Sequence, residues 1–353
     1  MNLNFKLGLA SSLDKLGLLA SLRRFYAAKG GLVLTFHRVM KAADAANCYE
    51  PHLMMSEVVF ERLLVLLHNE FQVVSLANLL EQPTGSNRVQ RVALTFDDGW
   101  EDTYSVAYPL LLRYQVPATV FLCTGLMDTQ QMLPEERFIR IWRSCAMREQ
   151  LPLLLQDLRT WGGAASPGSG SCRDWALHMK KLSLDTKLMM LTHLESTYRV
   201  ASDPYRRFLT WQEARIMAQN GISFGSHTVR HATLSTETRE GIARELSESR
   251  STIESHLGVR PDYLAYPNGA FDHRVMQLAQ EAGYTHAFGT RKGLWNMRTD
   301  PYAIPRISMD DSTVTGSSAL LHAARVRLHL QPFRFRPTPR FLIASINAEV
   351  HPA

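Results

Sequence analysis

Cysteine is scarce in this 353-residue chain, and its four positions, Cys48, Cys123, Cys145 and Cys172, form no CxxC pair and no regular spacing. That excludes a disulfide framework and a zinc knuckle, and it suits a reducing compartment. Long apolar runs are missing as well, since no stretch reaches the roughly 18 residues of a membrane span. In residues 1–30 the leucines are interrupted by Lys6, Asp14, Lys15, Arg23 and Arg24. The apolar piece Leu16 to Leu22 sits at the short limit of a signal-peptide core, and no small-residue cleavage site follows it. Residues 1–30 therefore read as an amphipathic N-terminal segment of a cytoplasmic protein, with peripheral attachment at the inner face of a membrane as the alternative. Extremes of composition are absent too. With 20 Gly, 16 Pro and 45% hydrophobic residues, a collagen-like repeat and wholesale disorder are excluded. The 39 Lys and Arg against 33 Asp and Glu leave a charge of +6, mild over this length. It bears on solubility and anionic partners, not on fold.

What is present is an alternation of short β-rich runs with helical patterns. Leu32–Phe36, Phe71–Ser75, Val92–Phe96, Ala118–Leu122, Ile222–Ser226, Asp262–Tyr266, His286–Gly289 and Ala303–Ser308 read as strands. Helical spacing covers 57–68, 101–114 and 272–282, and a helix bearing Ile242, Leu246, Ile253 and Leu257 ends at Gly258. Thr210-Trp211-Gln212-Glu213 is a capping box. From 127 to 205 the rhythm breaks into helical stretches, Pro134–Met147 and Leu182–Tyr198, around the loop Gly162–Ser171. Strands each followed by a helix or long connection pair in parallel, through right-handed crossovers. The fold expected is an α/β, deformed (β/α) barrel of about seven strands with a helical insertion. Its parts are an amphipathic segment 1–30, a barrel from 31–126 and 206–311, an insertion 127–205, and a basic C-terminal helix and tail 312–353.

Polar clusters fall where strands have just ended: His37, Asp97-Asp98, His227, Asn268 and Arg306. In a β/α barrel that edge collects catalytic residues. Asp97-Asp98-Gly99 follows a buried strand, and His227 and His231 can face one metal from a single turn. An aspartate with two histidines leaves coordination positions open on a divalent ion, zinc first, for water or a substrate oxygen. Each cluster alone also reads blandly, as a capped loop or a chance pair among 13 histidines.

Together, Thr95-Phe96-Asp97-Asp98-Gly99, His227-Thr228-Val229-Arg230-His231 and Ala265-Tyr266-Pro267-Asn268-Gly269 resemble, in order, three motifs of the polysaccharide deacetylase family. This is carbohydrate esterase family 4, the NodB-homology domain. The resemblance implies Asp98, His227 and His231 as metal ligands and Asp97 as general base. Chemistry agrees, because a cation holds its own carboxylate ionised and leaves the neighbouring one to take a proton. The backbone amide of Asn268, after the cis-or-turn-prone Pro267, is the candidate oxyanion donor. Two departures from the family pattern stand out. The arginine that usually precedes the proline and pairs with the base is missing from Leu264-Ala265-Tyr266-Pro267, and Arg306 is the candidate to supply it. The late leucine–histidine motif is missing too, and His37 is the candidate general acid for the leaving amine. Such an early histidine resembles the deacetylases acting on poly-N-acetylglucosamine-type exopolysaccharide.

The implied function is metal-dependent N-deacetylation of an N-acetylated glycan or a lipid- or nucleotide-linked sugar, in surface polysaccharide or glycolipid biosynthesis. An amidohydrolase on a small non-sugar amide, or an inactive glycan-binding module, are the alternatives. Trp100 reads either as a sugar-stacking face of the pocket or as core. His68, His178, His193 and His256 read as surface or packing residues. Arg325, Arg327, Arg334, Arg336 and Arg340 interleave with Phe333, Phe335 and Phe341 in a stretch free of acidic residues. That reads as a solvated helix and tail, with docking on an anionic membrane as the alternative. Nucleic acid is not an expected partner.

Overall fold

The computed structural model describes residues 11–84, 89–162, 166–168, 170–201, 203, 205, 207–315 and 323–331. Among them ten strands form: β1 (Leu32–Phe36), β2 (Arg38–Met40), β3 (Met54–Ser56), β4 (Gln72–Val73), β5 (Arg91–Phe96), β6 (Ala118–Leu122), β7 (Ser223–Ser226), β8 (Tyr263–Ala265), β9 (His286–Phe288) and β10 (Ile307–Ser308). Seven of them make one parallel sheet in the order β10–β1–β5–β6–β7–β8–β9, and β4 pairs with the start of β5. A single segment bridges the two ends of this arc. Ile304 pairs with Phe288 of β9, and three residues on Ile307 lies against Leu34 of β1. The result is the deformed barrel.

Every residue of β1, β5 and β6 is buried, as continuous apolar runs in a sheet covered on both faces should be. Alternate side chains divide between two cores. Val33, Ala93, Phe121, Ala265 and Phe288 fill the barrel interior with Leu79 and Trp295. Leu32, Leu34, Phe36, Leu94 and Phe96 pack outward on Phe60, Leu64 and Leu111. The register from Leu32↔Val92 to Phe36↔Phe96 brings the ends of β1 and β5 level, so His37 and Asp97 emerge side by side.

Between β6 and the helix Trp211–Gln219 that precedes β7 lie four helices among the described residues, Pro134–Met147, Leu151–Gly162, Cys172–Met179 and Leu184–Thr197, around a core of Phe138, Ile141, Leu158, Trp175 and Leu191. Sequence reasoning anticipated only the first and last. Gly162 ends a helix instead of opening the loop, and Ser171 caps the next helix, accepting from the Asp174 amide at 3.1 Å. The expected strand Phe71–Ser75 contracts to two residues. The expected helix 101–114 begins as a wide turn over Thr103–Ala107, just before Pro109, which has no N–H to continue the regular ladder. The pair β2–β3 carried no sequence signal, being only three residues a strand. The Thr210–Glu213 capping box is formed.

Near the C-terminus, Arg327 pairs with Glu70 and Asp14, and Arg325 donates to the carbonyls of Thr315 and Ser312. These two arginines are turned onto the protein. Arg334, Arg336, Arg340 and the three phenylalanines lie outside the described residues.

Candidate active site

Alternation along β5 sends Asp97 the same way as Ala93 and Thr95, into the barrel mouth. Asp98 would then face outward, but its backbone is left-handed (φ 73°), and so is that of Gly99 (φ 78°). That conformation favours glycine, and a Cβ at Gly99 would also lie 2.8 Å from Leu122 Cδ2 of β6, which would have to shift. Both carboxylates therefore enter one site, and both residues are almost wholly buried. Thr228 (φ 70°), His231 (φ 58°) and Asn268 (φ 58°) are left-handed as well. Each such residue costs of order 1–3 kcal/mol, and strain of this kind gathers at functional sites.

The two carboxylates have different partners. Asp97 is held bidentately by Arg306, Oδ1 to Nη1 and Oδ2 to Nη2 both at 2.7 Å. Arg306 is fully buried and also donates from Nε to the Gly289 carbonyl at 3.0 Å. Burial by itself would raise the Asp97 carboxyl, but the charge and hydrogen bonds of Arg306, together with the neighbouring His227, outweigh it and hold the group below its usual range. His37 Nε2 stands 4.0 Å from Asp97 Oδ2.

Asp98 accepts the Trp100 indole N–H on Oδ2 at 2.8 Å. Its other oxygen, Oδ1, is buried with no hydrogen-bond partner, 3.3 Å from His227 Nε2 and 3.5 Å from His231 Nε2. His227 Nδ1 lies 2.7 Å from the Ala265 carbonyl. A carbonyl only accepts, so Nδ1 carries a proton, and in the neutral ring the Nε2 lone pair faces Asp98. Burial pushes His231 down to about 4, keeping its ring neutral at ordinary pH. The three donor atoms lie within 4.8 Å of one another. One orphaned carboxylate oxygen and two imidazole lone pairs converging on one point fit a divalent cation.

These residues open on a cavity of about 180 Å³ that also meets Asn268. A larger cavity of about 700 Å³, lined by Arg38, Tyr49, Arg143 and Arg207, contains none of them, so size does not locate the chemistry.

A family model described as polysaccharide deacetylase matches residues 84–287. The chain belongs to the polysaccharide deacetylase family. Among curated relatives, the putative polysaccharide deacetylase YxkH of Bacillus subtilis (strain 168) is 21% identical over 216 residues, 61% of this chain and 50% of that protein. Chitin deacetylase 1 of Cryptococcus neoformans is 30% identical over 100 residues, 28% of this chain and 20% of that one. The match thus spans half the length of the first relative and a fifth of the second. Among solved structures, Streptococcus pyogenes deacetylase PplD in complex with acetate aligns with TM-score 0.56 at 19% identity, covering 86% of this chain and 99% of that one. IcaB from Ammonifex degensii aligns with TM-score 0.54 at 15% identity, covering 86% and 97%. At these identities the two structures show the shared barrel fold.

Within this member of the family the expected residues take the following places. Asp97, Asp98, His227, His231, His37, Arg306 and Asn268 all gather at one end of the barrel. Pro267 follows a trans peptide, as does every described residue, and Pro267–Gly269 form a tight turn. The Asn268 side chain donates to Thr233 Oγ1 at 3.1 Å. Trp100 is 1% exposed, stacked on Phe208 and under Arg38, so it is core and not a sugar platform. What sequence reasoning missed are Glu50, His52, Glu135 and Lys180, which complete the cavity wall. They lie in the connection between β2 and β3 and in the insertion, where no motif or periodicity marked them. Burial pushes Glu50 up to about 8.

Proposed function

We propose that this chain is a metal-dependent N-deacetylase that hydrolyses the acetamide of an N-acetylated sugar, releasing acetate and the free amine. The observation that carries the reading is the division between adjacent carboxylates, one locked to a guanidinium and one presenting an orphaned oxygen to two imidazoles. Asp98, His227 and His231 would hold the divalent ion, zinc first. When bound, such an ion supplies Lewis-acid polarisation and an acidified water. Asp97 accepts a proton from the attacking water, and Arg306 keeps it ionised and aimed for that task. His37, on the same wall, protonates the departing amine nitrogen. The Asn268 amide, fixed by the turn and by the side-chain bond to Thr233, faces the developing oxyanion.

The substrate belongs to surface polysaccharide or glycolipid biosynthesis, as a glycan or a lipid- or nucleotide-linked sugar, with the protein cytoplasmic and peripheral at the inner membrane face. Leu16, Leu18 and Phe25 stand exposed around the helix Leu18–Ala27, next to exposed Lys15, Arg24 and Lys29. Apolar and cationic side chains together suit an anionic interface. No helix among the described residues is long and apolar enough to cross a membrane.

The test is acetate release from a panel of N-acetylated oligosaccharides and lipid- or nucleotide-linked N-acetyl sugars, with and without chelator. Release that chelator abolishes and added zinc restores is the expected result. Absence of metal-dependent release from every member would overturn the reading and leave the small-amide hydrolase or the binding module.

A further inference from the structure

We propose that Glu135, on the first helix of the insertion, is a positioning residue for His231, making the insertion a working part of the metal site. The inference rests on the metal-binding reading above. His231 has no carbonyl on its Nδ1 of the kind that orients His227. Instead, Glu135 Oε2 stands 3.8 Å from His231 Nδ1, and each of these two atoms is buried without any hydrogen-bond partner. That distance is longer than a direct hydrogen bond, yet it sets the carboxylate facing the ring nitrogen. A carboxylate facing Nδ1 keeps the proton on that nitrogen and the Nε2 lone pair turned toward Asp98. The two ligand histidines would thus be oriented by different devices, a strand carbonyl for His227 and an insertion carboxylate for His231.

The cost of burying Glu135 argues for a purpose. Its residue is 6% exposed on a helix whose remaining acid, Glu136, already has Arg207 at 3.1 Å. An unpaired buried carboxylate is strongly destabilising unless charge nearby compensates it. Beside the His231 ring, the cations acting on Glu135 are Lys187 and Lys180. Lys187 is itself 1% exposed, on another insertion helix, and donates to Thr233 Oγ1 at 3.2 Å, the same oxygen that receives Asn268. Two insertion helices therefore converge on the loop that follows β7. The arrangement supports His231 through Glu135 and braces Asn268 through Lys187 and Thr233.

The experiment is a zinc titration of apo-protein against a chromophoric chelator, for wild type, Glu135→Gln, Glu135→Asp and Glu195→Gln, with a thermal melt of each apo-protein. Glu195→Gln removes the partner of Arg137 and Arg140 inside the insertion without touching the site, and so controls for loosening of the helices. Glu135→Gln is expected to bind zinc about 10–100-fold more weakly, the usual loss when a ligand's orienting partner is removed. Glu135→Asp should fall between it and wild type, and Glu195→Gln should match wild type. Wild-type zinc affinity in folded Glu135→Gln, or in Glu135→Asp should the first variant not fold, overturns the role of Glu135 alone. A loss in Glu195→Gln equal to that in Glu135→Gln overturns it too, by assigning the effect to loosened helices. Failure of the wild type to hold zinc would instead remove the metal reading on which the inference stands.

Discussion

Asp97 and Asp98 are chemically identical and adjacent, and their environments separate them. The left-handed turn at Asp98 rotates its carboxylate toward the imidazoles, while strand alternation leaves Asp97 on Arg306. Substitutions should therefore dissociate affinity from turnover. Asp98→Ala, His227→Ala and His231→Ala should each lose bound zinc and activity. Asp97→Asn and His37→Ala should keep zinc while acetate release falls, for His37→Ala by about 10²–10⁴, the typical worth of a positioned acid. Equilibrium dialysis with zinc and a turnover assay on the same preparations check both halves. Zinc lost from Asp97→Asn but kept in Asp98→Asn would exchange the two roles. Near-normal turnover in His37→Ala would reduce that residue to a cap on its strand.

At the scale of elements, the site depends on strands that pass very close inside the barrel. Gly225 in β7 is the tightest of these passages relevant to the site. A Cβ there would lie 2.6 Å from Phe121 Cε1 and 2.9 Å from the Tyr263 carbonyl oxygen. Phe121 fills the interior beneath the Arg306 guanidinium, 5.6 Å from the ring centroid. Gly225→Ala forces that ring or the neighbouring strand to move, and overpacking of this kind costs about 1–3 kcal/mol. Urea denaturation should show that loss at an unchanged slope. Activity should fall in the same variant, as Arg306 follows Phe121. An unchanged midpoint would mean that β7 shifts freely and that the barrel interior is looser than its packing implies.

Across the whole molecule, a charge cluster ties both ends of the described chain to the barrel. Glu70, at the end of the helix Glu57–Glu70, meets Arg23 from the N-terminal helix and Arg327 from Ala323–His329, with Arg327 Nε 3.0 Å from Oε2. Partial burial would raise the Glu70 carboxyl, but hydrogen bonds from Arg327 and Arg23 outweigh it and hold it below its ordinary value of 4.5. A carboxyl depressed by folding stabilises fully above its unfolded value and stops doing so as pH falls through its folded one. Wild type and Glu70→Gln should therefore differ by about 1 kcal/mol near neutrality, the upper range for a part-exposed pair. The gap should narrow as pH falls below the ordinary glutamate range and close once the carboxyl, held low by folding, is itself protonated. Urea melts of the two proteins from pH 7 down to pH 3 measure it, and a gap constant across that range would rule out the ion pairs as its source. Hydrogen exchange in 18–27 and 323–329 should quicken in the variant, because these helices lose their shared anchor.

The sequence by itself determined a great deal here, wherever function is written in short local patterns. Continuous apolar runs such as Leu32–Phe36 and Ala118–Leu122 specify buried parallel strands, and the residues that end them, His37, Asp97 and His227, necessarily emerge at one edge. The capping box at Thr210 is equally local, complete within four residues. Tertiary structure decided whatever depends on partners far away in the chain. The guanidinium beside Asp97 comes from Arg306, and only the bridging of β9 and β1 by one segment puts it there. Trp100 was ambiguous because an indole serves a core and a sugar face equally well, and its burial under Arg38 and Phe208 settled the matter. Glu50, Glu135 and Lys180 were illegible, as carboxylates and amines on amphipathic helices and loops look like solvated surface until something covers them. Their burial is a property of how the insertion folds back over the strand ends, and no local spacing encodes that.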